Sequence, residues 1–359
     1  MGFSGFSASL CVVGLILVLS GGGCEGKAND NLRFITWSDF TARRARPLLT
    51  VKCRNNTTKV IVVDKNGGGD SDTIQGAVDM VPVQNKQRVK IQIRPGIYRE
   101  KVYVPASKPY ISFIGSQIRS DDVVITWHDK ASDLDSNGFR LGTVRTASVT
   151  VESDYFCAAG ITIENSVVAR PGVPGMQAVA LNINGDKAMF YNVRLLGAQD
   201  TLMDLSGTHY FNQCYIQGSI DFIFGGARSI YQGCVIESIA TTSGAIAAHR
   251  MESPDDGTGF SFVNCTIIGT GKIYLGRAWG KYSTAVYSNS RIADMITPSG
   301  WSDWNKPERR RTAMFAEFNN TGKGADRSRR VKWSKSLSLE EAMPFVDLNF
   351  IAAEKWLRL

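Results

Sequence analysis

The chain has 359 residues, of which 43% are hydrophobic, and it carries a formal net charge of +8 with 35 glycines and three histidines. This length allows a sizeable core in one large domain or two smaller ones, and many glycines suit a turn-rich β protein. The scarcity of histidine argues against a metal site built from histidines and against a mechanism that rests on a histidine base. A basic chain favours acidic partners, either nucleic acid or acidic polysaccharide, although the same charge is also ordinary for solubility.

The first 24 residues contain no charged side chain and include an apolar run at 10–19. That run is too short to span a bilayer, which takes about 20 residues. It is typical of the core of a secretory signal peptide, with small residues after it for cleavage, although no Lys or Arg precedes it. We therefore expect residues 1–24 to be a signal peptide, with a short membrane-associated anchor as the alternative. Secretion favours polysaccharide over nucleic acid as the partner.

Secretion also bears on the cysteines and the glycosylation sequons. An oxidising compartment permits disulfides among the seven cysteines, but spacing alone does not reveal their pairing. No C-x-x-C motif is present, so we expect no zinc site. Sequons begin at Asn55, Asn56, Asn264 and Asn319, and each accepts a glycan only if it is exposed.

Regular patterning begins at residue 60, after a polar, irregular N-terminal extension at 25–59. A glycine-rich turn at 67–70 precedes apolar residues spaced as a short amphipathic helix from Ile74 to Val81, which Pro82 ends. Asp70 and Asp72 would repel phosphate, so we interpret them as helix caps. Strand patterns then dominate. The expected strands include 60–63, 89–93, 110–114, 123–127, 147–151, 161–163 and 179–183.

Internal repeats indicate the architecture. Residues 190–197 match residues 211–218, with an aromatic residue three positions before and a glycine four positions after Val193 and Cys214. Equivalent positions at 159, 193, 214, 234, 265 and 290 differ by 34, 21, 20, 31 and 25 residues. About 20 residues make one coil of a parallel β-helix, in which stacked coils bury ladders of side chains. We read as core the aromatic residues Phe156, Phe190, Phe211 and Phe262.

Two alternatives to the β-helix are a sandwich and a propeller, although propeller blades repeat at about 40 residues or more. After the repeats, residues 302–333 are polar and basic, and their arginine clusters at 309–311 and 327–330 either bind an acidic polymer or form a solvated loop. Ser338 and Glu341 form a capping box that predicts a short C-terminal helix. The residues expected to pack back onto the coils are Phe345, Leu348, Phe350, Ile351, Trp356 and Leu357.

Two aspartates occupy equivalent positions in successive repeats. Asp200 follows Val193 by seven residues, and Asp221 follows Cys214 by seven. Neighbouring strands lie about 4.8 Å apart, so the two carboxylates should nearly touch. One pKa then rises, which gives a protonated acid beside a carboxylate, as in carboxyl-based hydrolases. The alternative is two turn aspartates that point into solvent, but the apolar neighbours of Asp221 favour a functional pair.

Four blocks carry a family resemblance: GMQAVAL at 175–181, GAQDTL at 197–202, GSIDFIFG at 218–225 and LGRAW at 275–279. In order and spacing they resemble the signature blocks of plant pectin methylesterases, and the resemblance runs from about residue 60 to residue 356. It implies an all-β, right-handed parallel β-helix with short terminal helices over 60–359. It also implies the secreted cell-wall form without an inhibitor-like pro-region, because only residues 25–59 precede that domain.

The resemblance implies hydrolysis of the methyl esters of homogalacturonan to pectate and methanol. Asp221 would be the nucleophile, and Asp200 would be the general acid and then the base. Gln177 and Gln199 would donate to the oxyanion. Arg277 would hold Asp221 ionised, since a guanidinium stays charged and binds a carboxylate bidentately. Alternatively, the glutamines form an internal amide ladder and the arginine a surface ion pair.

Substrate contacts also follow from the resemblance. Ser166 would lie near the substrate, where the family more often has Thr, and Trp279 would offer an aromatic face to a sugar ring or, alternatively, pack in the core. Two other departures are Ala198, where the family has an aromatic residue, and Gly226, where it has Asn. None removes a catalytic group, but Ala198 deletes a wall of the cleft.

The family alignment also suggests a disulfide between Cys234 and Cys265, with Cys157 and Cys214 as buried free thiols. We expect no cofactor, no membrane or nucleic-acid partner, a monomer that acts on methyl-esterified pectin, and a proteinaceous inhibitor as a candidate partner. A pectate lyase would need an acidic calcium cluster and a polygalacturonase an Arg-Ile-Lys type motif, and neither is evident. A non-catalytic pectin-binding wall protein on the same scaffold is the remaining alternative.

Overall fold

Short parallel strands form most of the protein in the computed structural model, which describes residues 34–42, 59–116, 118–170 and 172–359. The early strands are β1 Ile35–Thr36, β2 Lys59–Val63, β3 Val89–Ile93, β4 Gly96–Arg99, β5 Val102–Val104, β6 Ile111–Ile114, β7 Val123–Trp127, β8 Val149–Val151, β9 Cys157–Ala159, β10 Thr162–Asn165, β11 Leu181–Ile183, β12 Ala188–Tyr191, β13 Arg194–Leu196 and β14 Leu202–Asp204. The later strands are β15 Thr208–Asn212, β16 Tyr215–Gly218, β17 Ile220–Gly225, β18 Arg228–Gln232, β19 Val235–His249, β20 Gly259–Val263, β21 Thr266–Ala278, β22 Thr284–Ser288, β23 Arg291–Ile292, β24 Trp301–Ser302, β25 Met314–Phe318, β26 Lys335–Ser336 and β27 Leu357–Arg358.

Helices are short. The α-helices are α1 Ile74–Asp79 and α2 Leu339–Val346. The 3-10 helices are Trp37–Phe40, Ser120–Asp122, Val144–Thr146, Pro254–Asp256, Pro307–Arg311, Lys323–Ala325, Leu348–Ile351 and Ala353–Lys355. None of the described helices is both long and apolar enough to cross a membrane.

Each coil contributes three strands, one to a first sheet and two to the arms of a second. The first sheet runs β2-β3-β6-β9-β12-β15-β18-β20-β22-β25-β26, and every neighbour in it is parallel. The arms of the second sheet, β4-β7-β10-β13-β16 and β5-β8-β11-β14-β17, both pair with the long strand β19, beside which β21 lies. The expected right-handed parallel β-helix is confirmed.

The coil register follows the repeat, with one exception. Arg194 pairs with Tyr215, which pairs in turn with Val235, so residues 193, 214 and 234 are equivalent as predicted. The assignment of residue 159 to this position was wrong. Thr162 pairs with Arg194, so Ile161 is equivalent to Val193. The sharp corner at Gly160 comes two residues later than the aromatic spacing indicated.

A left-handed residue makes the corner between the first sheet and the next strand. Asn192, Gln213 and Asn264 have φ of 51°, 53° and 54° at equivalent corners, where Asn is one of the few residues that adopts this conformation readily. The expected strands at 89–93 and 123–127 have the predicted bounds. The strand expected at 179–183 begins only at Leu181, because the preceding backbone turns to bond elsewhere, with Val179 N donating to Thr146 Oγ1 at 3.0 Å.

The interior holds an aromatic ladder. The rings of Phe190 and Phe211 stack with centroids 4.7 Å apart, and Phe211 stacks on Tyr231 at 4.8 Å. Tyr231 stacks on Phe262 at 4.8 Å and so continues the column. These rings are fully buried, as is Phe156, so the prediction that these phenylalanines form core is confirmed.

The two α-helices pack against the coils, α1 against the interior at the first coils and α2 against β20 and β22. Helix α1 buries Ile74 and Val78, and its cap is Thr73, whose Oγ1 accepts from Gly76 N at 3.1 Å. The capping role expected of Asp70 was wrong, because its carboxylate instead accepts from Val62 N at 2.8 Å. The capping box of Ser338 precedes α2 as predicted.

Residues 34–42 and the C-terminal residues meet on the outer face of the first sheet. Strand β1 is parallel to β27, and Ile35 N donates to Trp356 O at 2.7 Å. We call residues 34–42 the N-terminal strap. It belongs to the extension that was expected to be irregular, yet with the C-terminal residues it covers Met189, Tyr210 and Ile230. The predicted signal peptide at 1–24 lies outside the described residues, as do residues 25–33 and 43–58.

The disulfide expected between Cys234 and Cys265 is not formed in the structure, where both are buried free thiols. Each thiol instead donates to a backbone carbonyl of the preceding coil, Cys234 to Phe211 O at 3.5 Å and Cys265 to Tyr231 O at 3.2 Å. Cys157 and Cys214 are buried free thiols as expected.

Two of the predicted sequons lie on described corners of the coil. Asn264 and Asn319 are exposed, which meets the condition set for them. Asn319 donates through Nδ2 to Asn289 Oδ1 at 2.8 Å. Asn55 and Asn56 lie outside the described residues, so glycosylation stays a prediction at all four positions.

Candidate active site

Asp200 and Asp221 occupy equivalent points on successive coils. Leu202 pairs with Ile223, and Gln199 forms a β-bridge with Ile220. In both pairs the second residue lies 21 positions after the first, and Asp221 lies 21 positions after Asp200. Both aspartates have left-handed backbones, with φ of 64° and 47°, at the turn between the two arms of the second sheet. The two residues are 9% and 7% exposed, which excludes the alternative of turn aspartates that point into solvent.

Close packing forces this turn. A Cβ on Gly197 would lie 2.7 Å from Thr201 Oγ1, and one on Gly218 would lie 2.1 Å from Phe222 Cβ. Only a residue without a side chain therefore fits at these two positions, each of which precedes an aspartate by three residues. The same spacing of glycine and aspartate occurs in two successive coils, and it places the two carboxyl groups near each other.

Arg277 forms an ion pair with Asp221. Its Nε donates to Asp221 Oδ1 at 2.8 Å and its Nη2 donates to Oδ2, so the contact is bidentate. The arginine lies on β21, where it pairs with Ala248, two coils beyond the aspartate. Because the carboxylate is buried, the alternative of a surface ion pair is wrong.

The two carboxyl groups differ in acidity. Burial, followed by the charge of Asp221, raises the pKa of Asp200 well above its usual range, and Arg277 and Gln199 oppose that rise. Burial also raises the pKa of Asp221, but the hydrogen bonds and charge of Arg277 oppose it there. Of the two carboxyl groups, Asp200 therefore retains a proton more readily than Asp221 does. As expected, Arg277 favours the ionised form of Asp221, but its effect on the pKa is smaller than that of burial.

The two glutamines flank this pair from the preceding turns. Ala178 N donates to Gln199 O at 3.0 Å, so Gln177 lies one coil before Gln199, and both side chains are half-buried. Gln199 lines a cleft beside the carboxylates. Amide N–H groups in such positions can donate to an anion that forms near Asp221.

A cleft lies beside the aspartates rather than over them. It has a volume of about 560 Å³, and its lining includes Ser166, Ala198 and Gln199 but neither aspartate. Its walls include residues 164–170, 172–174 and 239–243. Ser166 is exposed there and donates through Oγ to Trp127 O at 3.2 Å. The small side chain of Ala198 leaves the floor of this cleft open.

Aromatic residues border the other side. Trp279 is half-buried and packs on Phe224, with centroids 6.1 Å apart, while the Arg250 guanidinium lies 5.4 Å from its ring centroid. The core-packing alternative for Trp279 therefore holds in part. Trp304 lies with its ring centroid 4.0 Å from the Arg277 guanidinium carbon, and our reading of the sequence missed it. The available signal was a tryptophan within an otherwise polar and basic segment.

Histidines do not enter this site. His209 is buried and bonds to Asp204, and His249 is buried and accepts from Thr284 N. Within the described ranges, no group of three or more His, Cys, Asp or Glu side chains is arranged to hold a metal ion. The chemistry open to the site is that of one neutral carboxylic acid beside one carboxylate held by a guanidinium.

Comparisons with known proteins agree on the family. The pectinesterase family matches residues 60–354. Pectinesterase QRT1 of Arabidopsis thaliana is 65% identical over 351 residues, which cover 93% of this chain and 92% of that protein. The pectin methylesterase from carrot has a TM-score of 0.77 at 32% identity, covering 84% of this chain and 96% of its own. That from Aspergillus niger has a TM-score of 0.72 at 28% identity, covering 85% and 98%. The chain therefore belongs to the pectinesterase family of carboxylic ester hydrolases.

Proposed function

We propose that the protein hydrolyses the methyl esters of homogalacturonan to pectate and methanol, with Asp221 as nucleophile and Asp200 as general acid and base. One observation carries this proposal: a buried carboxylate gripped by Arg277 lies one coil from a second carboxyl group whose pKa is raised well above its usual range. A hydrolase needs these two protonation states side by side.

In the first step, Asp221 attacks the ester carbonyl carbon of a galacturonate unit. The tetrahedral oxyanion accepts hydrogen bonds from the Gln177 and Gln199 amides. When it collapses, the bond to the methoxy oxygen breaks and Asp200 gives its proton to that oxygen, so methanol leaves. The product is an anhydride between Asp221 and the sugar carboxyl group.

In the second step, water replaces methanol. Asp200, now a carboxylate, takes a proton from a water molecule whose oxygen attacks the anhydride carbonyl carbon. The bond to Asp221 breaks, the galacturonate leaves with a free carboxyl group, and both aspartates return to their starting states. Arg277 stabilises the Asp221 carboxylate as leaving group, since a guanidinium remains charged throughout.

Substrate binding uses the two flanks of the site. Trp279 offers its accessible ring face to a sugar, and Ser166 contributes a hydroxyl in the neighbouring cleft. The walls of this cleft include the apolar residues Val167, Val168 and Ile239. A methyl-esterified galacturonate unit fits these apolar side chains better than a free galacturonate unit does.

The setting that we propose is the cell wall. Residues 1–24 act as the signal peptide, residues 60–359 are the catalytic domain, and the mature protein is a monomeric glycoprotein that acts on pectin. Acidic polysaccharide is the partner that the net charge of +8 favours. A proteinaceous inhibitor is a candidate second partner, and the reaction needs no cofactor.

Methanol release from highly methylated pectin tests the reaction and its nucleophile together. We expect the wild-type protein to release methanol and Asp221→Asn to lose activity by about a thousandfold or more, because an amide cannot form the anhydride. Asp255→Asn, at an exposed turn, is the matched control and should retain full activity.

Other results would change the assignment. Methanol release that survives Asp221→Asn would keep the reaction and refute the mechanism. Chain fragments without methanol would indicate a lyase or polygalacturonase instead. A folded protein that binds pectin but releases neither product would be the non-catalytic wall protein.

A further inference from the structure

Arg277 is held between a carboxylate and an aromatic face. On one side its guanidinium donates to both oxygens of Asp221. On the other side the ring centroid of Trp304 lies 4.0 Å from the guanidinium carbon. Arginine stacks well on an indole face, and the contact adds electrostatic attraction that is larger where water is partly excluded. Arg277 and Trp304 are both half-buried, so their contact is of this kind.

The turn that presents Trp304 is conformationally demanding. Trp304 and Asn305 are consecutive left-handed residues with φ of 60° and 54°, and a bulky residue such as tryptophan rarely adopts this conformation. Trp304 N donates to Ser302 Oγ at 3.3 Å, and Asn305 N donates to Asp303 Oδ1 at 3.0 Å. Such conformations persist where the surroundings impose them, and they cluster at functional sites.

The surroundings here are tied to Arg277 itself. Ser302 pairs with Arg277 in the ladder between β24 and β21, so the turn starts from the backbone of the arginine. Behind the turn, Arg310 Nε donates to Asp303 Oδ2 at 2.6 Å. Arg309 lies in the same 3-10 helix as Arg310, and its Nη1 donates to Ala278 O at 2.5 Å. Ala278 directly follows Arg277 in the chain. The indole and the guanidinium are therefore fixed to one backbone frame.

We propose that Trp304 is a positioning residue, whose indole face holds the Arg277 guanidinium in the plane that keeps Asp221 aligned for attack. This inference rests on the proposed function, because it assigns Trp304 a part in the same reaction. The charged groups facing this arrangement are Asp200 on the coil before Asp221, Arg250 beside Trp279, and the pair of Asp303 with Arg310.

The test compares Trp304→Leu with Trp304→Phe in methanol release across pH. Without the ring, Arg277 gains freedom and lowers the pKa of Asp221 less. We expect Trp304→Leu to lose about tenfold in kcat with little change in KM, and the acidic limb of kcat/KM to move by up to about one pH unit upward. Trp304→Phe keeps an aromatic face and should recover most of kcat. Trp37→Leu, exposed on the N-terminal strap, should change neither quantity.

A measurement that does not depend on turnover accompanies the kinetics. In the Asp200→Asn background, NMR of the Arg277 Nε–H should show faster solvent exchange after Trp304→Leu than with Trp304 intact. If Trp304→Leu does not fold, as judged by circular dichroism, the same comparison is made with Trp304→Phe, which should keep exchange slow.

Two results would overturn the inference. One is a Trp304→Leu protein that raises KM alone and leaves kcat and the acidic limb unchanged, since that is the behaviour of a substrate contact. The other is unchanged Nε–H exchange. Failure of the proposed function would be seen separately, as activity that survives Asp221→Asn while the exchange difference persists.

Discussion

At the scale of single residues, two chemically identical side chains acquire different roles from their neighbours. Asp200 and Asp221 share a backbone conformation and a place in the coil. Arg277 donates to Asp221 alone, so the environment of Asp200 is dominated by burial and by the charge of its partner. The site thereby keeps one carboxyl group neutral at the expense of folding stability, since a buried acid that resists ionisation opposes the native state at neutral pH.

Asp200→Asn should therefore stabilise the folded protein while it abolishes activity. Because the folded-state pKa of Asp200 is raised, the native state binds more protons than the unfolded state above the unfolded pKa, so wild-type stability falls as pH rises toward the folded pKa. Asparagine does not titrate. The unfolding free energy of Asp200→Asn minus that of wild type should grow between pH 4 and pH 7, measured by urea denaturation. A difference that is independent of pH, or negative at pH 7, would contradict this account.

At the scale of elements, the coils are held in register by stacked side chains as much as by their ladders. Phe211 stacks between Phe190 and Tyr231 with interplanar angles of 7° and 9°. Each strand of the first sheet sends alternate residues inward to this column and outward to the face covered by the chain ends. A ring lost from the middle of the column leaves a cavity that two coils must share.

Phe211→Ala should destabilise the protein by about 3–5 kcal/mol, the usual range for a buried phenylalanine. The matched control is Phe139→Ala, because Phe139 is 70% exposed and its loss should change the free energy of unfolding by less than about 0.5 kcal/mol. Urea denaturation followed by fluorescence measures both. Equal effects from the two variants would mean that burial of Phe211 in the column does not stabilise the fold.

At the scale of the whole molecule, repeated features were predictable and unrepeated ones were not. The coil period and the equivalence of Asp200 with Asp221 were predictable because the same local sequence pattern occurs twice, 21 residues apart. The contact of Trp304 with Arg277 depends on a single irregular turn that nothing else in the chain resembles. The docking of the N-terminal strap was missed for the same reason, since its partner residues lie at the far end of the chain.

Ile35→Ala should show how far the chain ends act together. Ile35 belongs to the strap and is fully buried in the cluster that it forms with the C-terminal residues, so its truncation should cost about 2–5 kcal/mol of stability. Hydrogen exchange should accelerate at 34–42 and at 350–358 alike, because each segment protects the other. Acceleration confined to 34–42 would show that the C-terminal segment holds its place without the strap.

The pairing of β1 with β27 also has a consequence for biosynthesis. The coils can form one after another as the chain emerges, since each needs only its neighbour. Ile35, however, pairs with Leu357, so the N-terminal strap cannot complete its pairing until β27 has been synthesised. Until then the outward side chains of Met189, Tyr210 and Ile230 stay uncovered, and such surface is what chaperones recognise on incomplete chains. The outer face of the first sheet is therefore covered only after β27 has been made, later than the coils that form that face.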